Sequence, residues 1–547
     1  MKSKRLTLSV LFVVAAVANA LACTNLIVGK NASADGSTIV SYSADSYGLF
    51  GELYHYPAGM HKKGTLIDIH EWDTGKYLGQ IEQARQTYNV IGNMNEFQLT
   101  IGETTFGGRP ELVDTTGIID YGSLIYLGLQ RSRTAREAIK VMTELVQEYG
   151  YYSSGESFTI ADPNEIWVME MIGKGPGVRG AVWVAVRVPD DCISAHANQS
   201  RIHQFNMNDK ENCMYSPDVI SFAREKGYFD GVNKDFSFAN AYAPLDFGAR
   251  RYCEARVWSY FNMFTDRGNE FLPYILGETN TPMPLFVKPN RKVSVQDVKN
   301  AMRDHYEGTP LDISKDFGAG PYHTPYRLSP LSFKVGDREY FNERPISTQQ
   351  SGFVFVAQMR SELPDPIGGV LWFGTDDANM TVFTPVYCCT DKVPVCYTRV
   401  DGADYITFSW NSAFWIFNWV ANMVYPRYDL MIDDVRATQT ELETTFNEAQ
   451  EGVEAAAAKL LEKDPAKAKA FLTNYTNMTA QSTFDTWKRL GEFLVVKYND
   501  GVVKRMKNGQ FERNSIGQPA GVIRPGYPKE FLEEYVKQTG DRYKMPE

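Results

Sequence analysis

Short runs of alternating and continuous apolar residues dominate the first part of the chain, and helical spacing takes over towards its end. Residues 24–29 (Thr-Asn-Leu-Ile-Val-Gly) read as a strand, Asp35-Gly36 as a turn and 37–42 as a second strand. A further strand pair is expected at 89–92 and 99–103, around Asn93-Met94-Asn95-Glu96. Helical spacing covers 118–129. The box Thr134-Ala135-Arg136-Glu137 opens a helix that Gly150 stops. Strands follow at 157–161, 166–171, 181–188 and 192–197, separated by turns at 162–165 and 189–191. Helices are expected from Ser216-Pro217 to Gly227, over 250–264, and from Ser294 to near Gly308. A Gly/Pro-rich stretch at 318–330 reads as a long loop near the site. Strands return at 352–359 and 369–373, then helices at 412–424, 433–461 and 484–498, and a polar tail at 500–547. Helices grouped beside a meander of antiparallel strands make an α+β fold, sheets with helices outside them.

The extreme N-terminus has a different character. Lys2, Lys4 and Arg5 precede an apolar stretch at 6–18, and Ala20-Leu21-Ala22 spells a small-residue cleavage site. The apolar stretch is shorter than the roughly 20 residues a membrane helix needs. Residues 1–22 therefore read as a signal peptide, and the protein as exported, periplasmic or extracellular. Cleavage after Ala22 leaves Cys23 as the first residue, at the start of a strand that holds it firmly.

A formal charge of −10 argues against nucleic acid or an anionic membrane surface as a partner. An aromatic content of 13% speaks for a packed globular protein. Of the seven cysteines, an odd number, Cys23 fits a reactive thiol. The others (Cys192, Cys213, Cys253, Cys388, Cys389 and Cys396) are either small buried hydrophobes or partners in bridges, such as a loop closed by Cys396 with Cys388 or Cys389. Without a C-x-x-C pair or an H-E-x-x-H motif, no metal or other cofactor is expected.

An N-terminal cysteine carries a thiol and an α-amine on one residue. The thiolate is the nucleophile, and the amine, with a pKa of about 7.7–8.0, is partly neutral near pH 7 and able to relay the proton. No histidine partner is then required. Asp45, just after the second strand, returns beside Cys23 in a hairpin, where it either orients the amine or thiol or is an ordinary turn aspartate. Asn198 in His196-Ala197-Asn198-Gln199 is either an oxyanion donor or a strand-end turn residue. Arg250, Arg251 and Arg256 either place a cation near the site or form a solvated helix face.

Cys23-Thr24-Asn25-Leu26-Ile27-Val28-Gly29, Ala34-Asp35-Gly36-Ser37 and Asp45 resemble peptidase family C69, the cysteine dipeptidases that include bacterial dipeptidase A and secernin. Gly92-Asn93-Met94-Asn95-Glu96, Trp183 to Asp191, Ala197-Asn198-Gln199-Ser200-Arg201-Ile202, Thr324-Pro325-Tyr326-Arg327 and Gly369 to Gly374 continue the resemblance to about Asp429. The family is more distantly similar to penicillin V acylase and bile salt hydrolase. The resemblance implies an N-terminal-nucleophile (Ntn) hydrolase fold, two stacked antiparallel sheets between helical layers (αββα), with a catalytic domain at 23–430 and a helical extension at 431–547. It implies dipeptides or short peptides as substrates, Cys23 as nucleophile, Asp45 in support, Asn198 at the oxyanion and Arg256 as the downstream arginine, with Arg251 as competitor. Where the acylases carry an arginine three residues before the aspartate, this chain has Tyr42. Where they place a second oxyanion asparagine, it has Glu103-Thr104-Thr105.

The expected chemistry is acyl transfer through a thioester, with Asp45 or Glu103 binding the dipeptide's ammonium. The alternatives are an acylase of the same fold, and a non-enzymatic lipoprotein lipidated on Cys23. The latter is disfavoured because Leu21 sits one position late for lipidation. Whether the protein forms a homo-oligomer is not set by the sequence.

Overall fold

A computed structural model describes residues 23–547; the expected signal peptide lies outside the described residues. The fold is α+β, built on two antiparallel sheets. Their main strands are β1 (Asn25–Val28), β2 (Thr38–Asp45), β3 (Thr100–Gly107), β4 (Gly155–Ala161), β5 (Ile166–Gly173), β6 (Ala181–Arg187), β7 (Ile193–His196), β8 (Ser351–Met359), β9 (Val370–Thr375) and β10 (Thr384–Tyr387). One sheet runs β7-β1-β2-β8-β9-β10. The other runs from Cys213–Tyr215 through β6, β5, β4 and β3 to the short strands Met94–Asn95, Val90–Ile91 and His55–Tyr56.

The two sheets meet face to face. Asn25 Nδ2 of β1 donates to the Glu103 carbonyl of β3 at 2.7 Å, and Thr38 Oγ1 of β2 donates to the Asp162 carbonyl just past β4 at 2.7 Å. Every residue of β1, β2 and β8 is buried, so their outer faces are covered as well. That is why these strands read as near-continuous apolar runs instead of clean alternation.

Helices supply the cover. α1 (Tyr121–Arg131) and α2 (Ala135–Tyr149) pack on β3 to β6. α2 buries Ala135, Ala138, Ile139, Met142, Leu145 and Val146, one stripe at helical spacing. Thr134 Oγ1 caps it by accepting from Glu137 N at 3.3 Å, while Glu137 Oε2 takes the Arg133 N–H and not that of Thr134. On the other sheet, α3 (Ala255–Phe264) covers β7 and α4 (Val295–Ala301) covers β8.

Three long elements close the chain: α5 (Ala413–Val424), α6 (Tyr428–Leu461) and α7 (Pro465–Tyr498). α6 is tied to the preceding part of the chain by two largely buried ion pairs, Arg303–Glu443 and Arg360–Glu454. α7 begins well before the expected residue 484. Its first half buries Thr473, Thr476, Thr479 and Thr483 against β10 and the turn after it, where Thr476 Oγ1 accepts from Tyr387 N at 3.3 Å. A buried stripe of threonines, hydrogen-bonded to main-chain and side-chain partners, gives no apolar periodicity to read. The helix capped by Ser294 ends at Ala301, short of Gly308, and the tail beyond α7 holds a further helix at Lys529–Thr539. All seven cysteines are free thiols, so the loop that Cys396 was expected to close is not bridged.

Candidate active site

Cys23 stands immediately before β1, which pairs antiparallel with β2, Ile27 opposite Val40. The pairing continues to Thr24 and Ser43, with Ser43 N donating to the Thr24 carbonyl at 3.0 Å. This register sets Cys23 across from the end of β2, and the Asp45 main chain hydrogen-bonds the thiol. The Asp45 carboxylate is turned elsewhere. It takes Arg344 Nη2 at 2.5 Å, Ser351 Oγ at 2.6 Å and Ser43 Oγ at 3.0 Å, all buried. The charge of this carboxylate is matched by Arg344. Sequence reasoning missed Arg344, 299 positions away from Asp45 and in no local motif.

The thiol faces β3. Cys23 Sγ lies 3.4 Å from Glu103 Oε1 and 3.8 Å from the Tyr42 hydroxyl, and Tyr42 donates to the same Glu103 oxygen at 2.6 Å. Gly102 makes this approach of the sheets possible. A Cβ there would stand 2.5 Å from Asn25 Oδ1 and 3.4 Å from Tyr42 Cβ. Burial pushes the Cys23 thiol well above its ordinary value, and the negative charges of Glu103 and Asp45 add to the shift. The resting sulfur is thus a protonated thiol. Among the described residues no histidine contacts it. His196 is held between Thr104 Oγ1 and Thr159 Oγ1, both at 2.7 Å, and burial with the charges of Arg201 and Arg256 lowers it to about 3, neutral and structural.

Glu103 has a buried neighbour in Glu156, whose Oε1 accepts from Thr105 Oγ1 at 2.7 Å. Burial raises both carboxyls, and the charge of Glu103 raises Glu156 further. The pair interacts closely enough to share a proton.

Arg256, on α3, is 1% exposed and makes five contacts. Nη1 donates to the Cys23 carbonyl at 2.6 Å and Thr24 Oγ1 at 2.8 Å. Nη2 donates to the Ala197 carbonyl at 3.0 Å and Asn198 Oδ1 at 2.8 Å, and Nε to the Tyr252 carbonyl at 2.7 Å. With only neutral oxygens as partners, it is pushed down to about 10 by burial and by the charge of Arg344. The guanidinium fork joins the head of β1 to the end of β7. Asn198 sits there at φ 64°, a left-handed conformation asparagine tolerates, and its Nδ2 donates to the Thr105 carbonyl at 2.8 Å. Arg251 points away, paired with Glu343 and lying 5.0 Å from the Phe341 ring centre. The structure therefore gathers Cys23, Asp45, Asn198 and Arg256 around one point, and adds Tyr42, Glu103, Glu156 and Arg344. The segment 325–327 of the expected loop packs beside Arg344.

A buried thiol at a strand head thus faces a carboxyl pair, with a buried arginine holding its main chain. The model of peptidase family C69 matches residues 22–55 and 50–441, and the chain belongs to that family. It is similar to a probable dipeptidase of Salmonella dublin, 30% identical over 67% of this chain and 81% of that protein. Dipeptidase A of Lactobacillus helveticus is 24% identical over 72% of this chain and 80% of its own length. A dipeptidase of Bifidobacterium longum is 25% identical over 68% and 72%, respectively.

Proposed function

We propose that the protein is an exported dipeptidase whose nucleophile is Cys23, freed as the N-terminal residue when the segment 1–22 is removed, on an Ntn-hydrolase αββα fold. Family membership and relatives named dipeptidases support the substrate class. The observation that carries the mechanism is the thiol's setting: at the head of β1, with Tyr42 and Glu103 as side-chain neighbours and, among the described residues, no histidine in contact with it. The α-amine of the same residue is then the base at hand.

In this reading Cys23 Sγ attacks the carbonyl of the first substrate residue while its proton passes to the α-amine. Asn198 and a main-chain N–H receive the oxyanion. The amine hands the proton to the departing amino acid, leaving a thioester. Water, giving a proton to the same amine, then cleaves the thioester and restores the thiol. Arg256 fixes the Cys23 carbonyl and the Asn198 amide relative to each other, and Asp45 with Arg344 fixes the end of β2 against which the thiol rests.

Intact mass and dipeptide turnover of the secreted protein test this. A mature form beginning at Cys23 that hydrolyses free dipeptides, with a Cys23→Ala variant at least 1,000-fold slower, on the order of a lost nucleophile, supports it. Full activity in Cys23→Ala, activity in the form retaining residues 1–22, or a diacylglyceryl mass on Cys23 refutes it.

A further inference from the structure

Two buried carboxyls stand at the thiol with no cation to match them. Glu103 is 1% and Glu156 0% exposed, and among the described residues neither forms an ion pair. Oε2 of each is buried without a donor from any other described residue. Asp45, the other acid at the site, is already neutralised by Arg344. Burying a carboxylate beside a second one is costly, so the resting pair holds a proton between its two carboxyls, and a cation arriving at Glu103 can take that proton's place.

We propose that Glu103, backed by Glu156 and oriented by Tyr42, is the receptor for the substrate's free α-ammonium. This rests on the dipeptidase reading above and names what that site recognises. The distances suit it. In an amino-acid residue the ammonium nitrogen lies about 2.5 Å from the carbonyl carbon. A nucleophile stands about 3–3.5 Å from that carbon before attack, and a charge-assisted hydrogen bond spans about 2.8 Å. These three lengths close with a sulfur-to-carboxylate separation of 3.4 Å, the one observed between Cys23 Sγ and Glu103 Oε1. Only the residue whose carbonyl is attacked places an ammonium there, so the receptor selects the free amino end of the chain and rejects an acylated one.

Occupancy also acts on the nucleophile. The ammonium takes the oxygen that Cys23 Sγ now faces, and its positive charge offsets one of the two anions that disfavour the thiolate. Tyr42 donates to Glu103 Oε1 and brings no charge of its own, so the carboxyl pair stays open to an incoming cation. An arginine in place of Tyr42 would neutralise it.

The mature protein is assayed with alanyl-alanine and with propionyl-alanine, which differs only in lacking the amine. Wild type is expected to favour the free dipeptide at least 100-fold in kcat/KM. Glu103→Gln should lose at least tenfold more on alanyl-alanine than on propionyl-alanine. Calorimetric binding to Cys23→Ala gives the same comparison without turnover: the dipeptide binds, propionyl-alanine binds at least tenfold more weakly, and adding Glu103→Gln abolishes the difference. Equal losses on both substrates, as expected if Glu103 pairs with the Cys23 amine, or no wild-type preference, overturn the receptor while leaving the dipeptidase intact. A wild type that hydrolyses neither compound refutes the dipeptidase reading itself.

Discussion

Arg344 Nη2 lies 2.5 Å from Asp45 Oδ2, both side chains buried, one at the end of β2 and the other on the segment leading into β8. The pair fixes the main chain that the Cys23 thiol touches. Removing one partner leaves a buried charge uncompensated, so Asp45→Asn should cost about 3–5 kcal/mol. Asp45→Asn with Arg344→Met should recover part of that loss. Urea unfolding of both variants checks it. A double variant no more stable than the single one would show that the pairing is not what the single change breaks.

Arg256 holds oxygens from two strands with one rigid fork. Lysine keeps the charge but has no fork, so Arg256→Lys should satisfy one strand and release the other. The expected result is a fall of about 100-fold in kcat with KM within a few-fold, because geometry at the nucleophile is lost and substrate contact is not. Steady-state kinetics on a dipeptide separates the two parameters.

Gly102→Ala should disturb the site without touching any reacting atom. Its Cβ would press on the Asn25 amide at 2.5 Å, and the far side of that amide is bonded to the Glu103 carbonyl. Overpacking of this kind costs about 1–3 kcal/mol. The drop in melting temperature should come with a loss of turnover larger than a remote core substitution of equal cost produces.

Glu443 gives a pH dependence of stability. Burial acts to raise it, but Arg303 and Lys299 outweigh burial and hold it at about 2. A carboxyl whose folded value lies below its unfolded one stabilises the fold above the unfolded value of about 4.3. That contribution is lost as the pH falls towards 2. At about 1.4 kcal/mol per pKa unit the pair is worth about 3 kcal/mol at pH 6. Unfolding free energies of wild type and Glu443→Gln should differ by about that much at pH 6 and converge below pH 3. A gap independent of pH would show that the ion pair is not the source.

The local chemistry was legible along the chain. The strand-turn-strand pattern to Asp45 and the caps at Thr134 and Ser294 are short-range signals that neighbouring residues enforce. They fix the alternation of elements and the α+β class, and the family motifs singled out Cys23, Asp45, Asn198 and Arg256 for the site. What the sequence could not show is which charge meets which. Asp45 could orient an amine or answer an arginine, and Arg251 and Arg256 were rivals on one helix. Tertiary packing decided both, handing Asp45 to Arg344 and turning Arg256 inward while Arg251 pairs with Glu343. It also paired Glu103 with Glu156 across two strands and buried a threonine stripe where an apolar one was sought. The physical reason is common to all of these. Periodicity and caps are set within a few residues of chain, whereas the compensation of a buried charge is settled only when distant segments exclude water together.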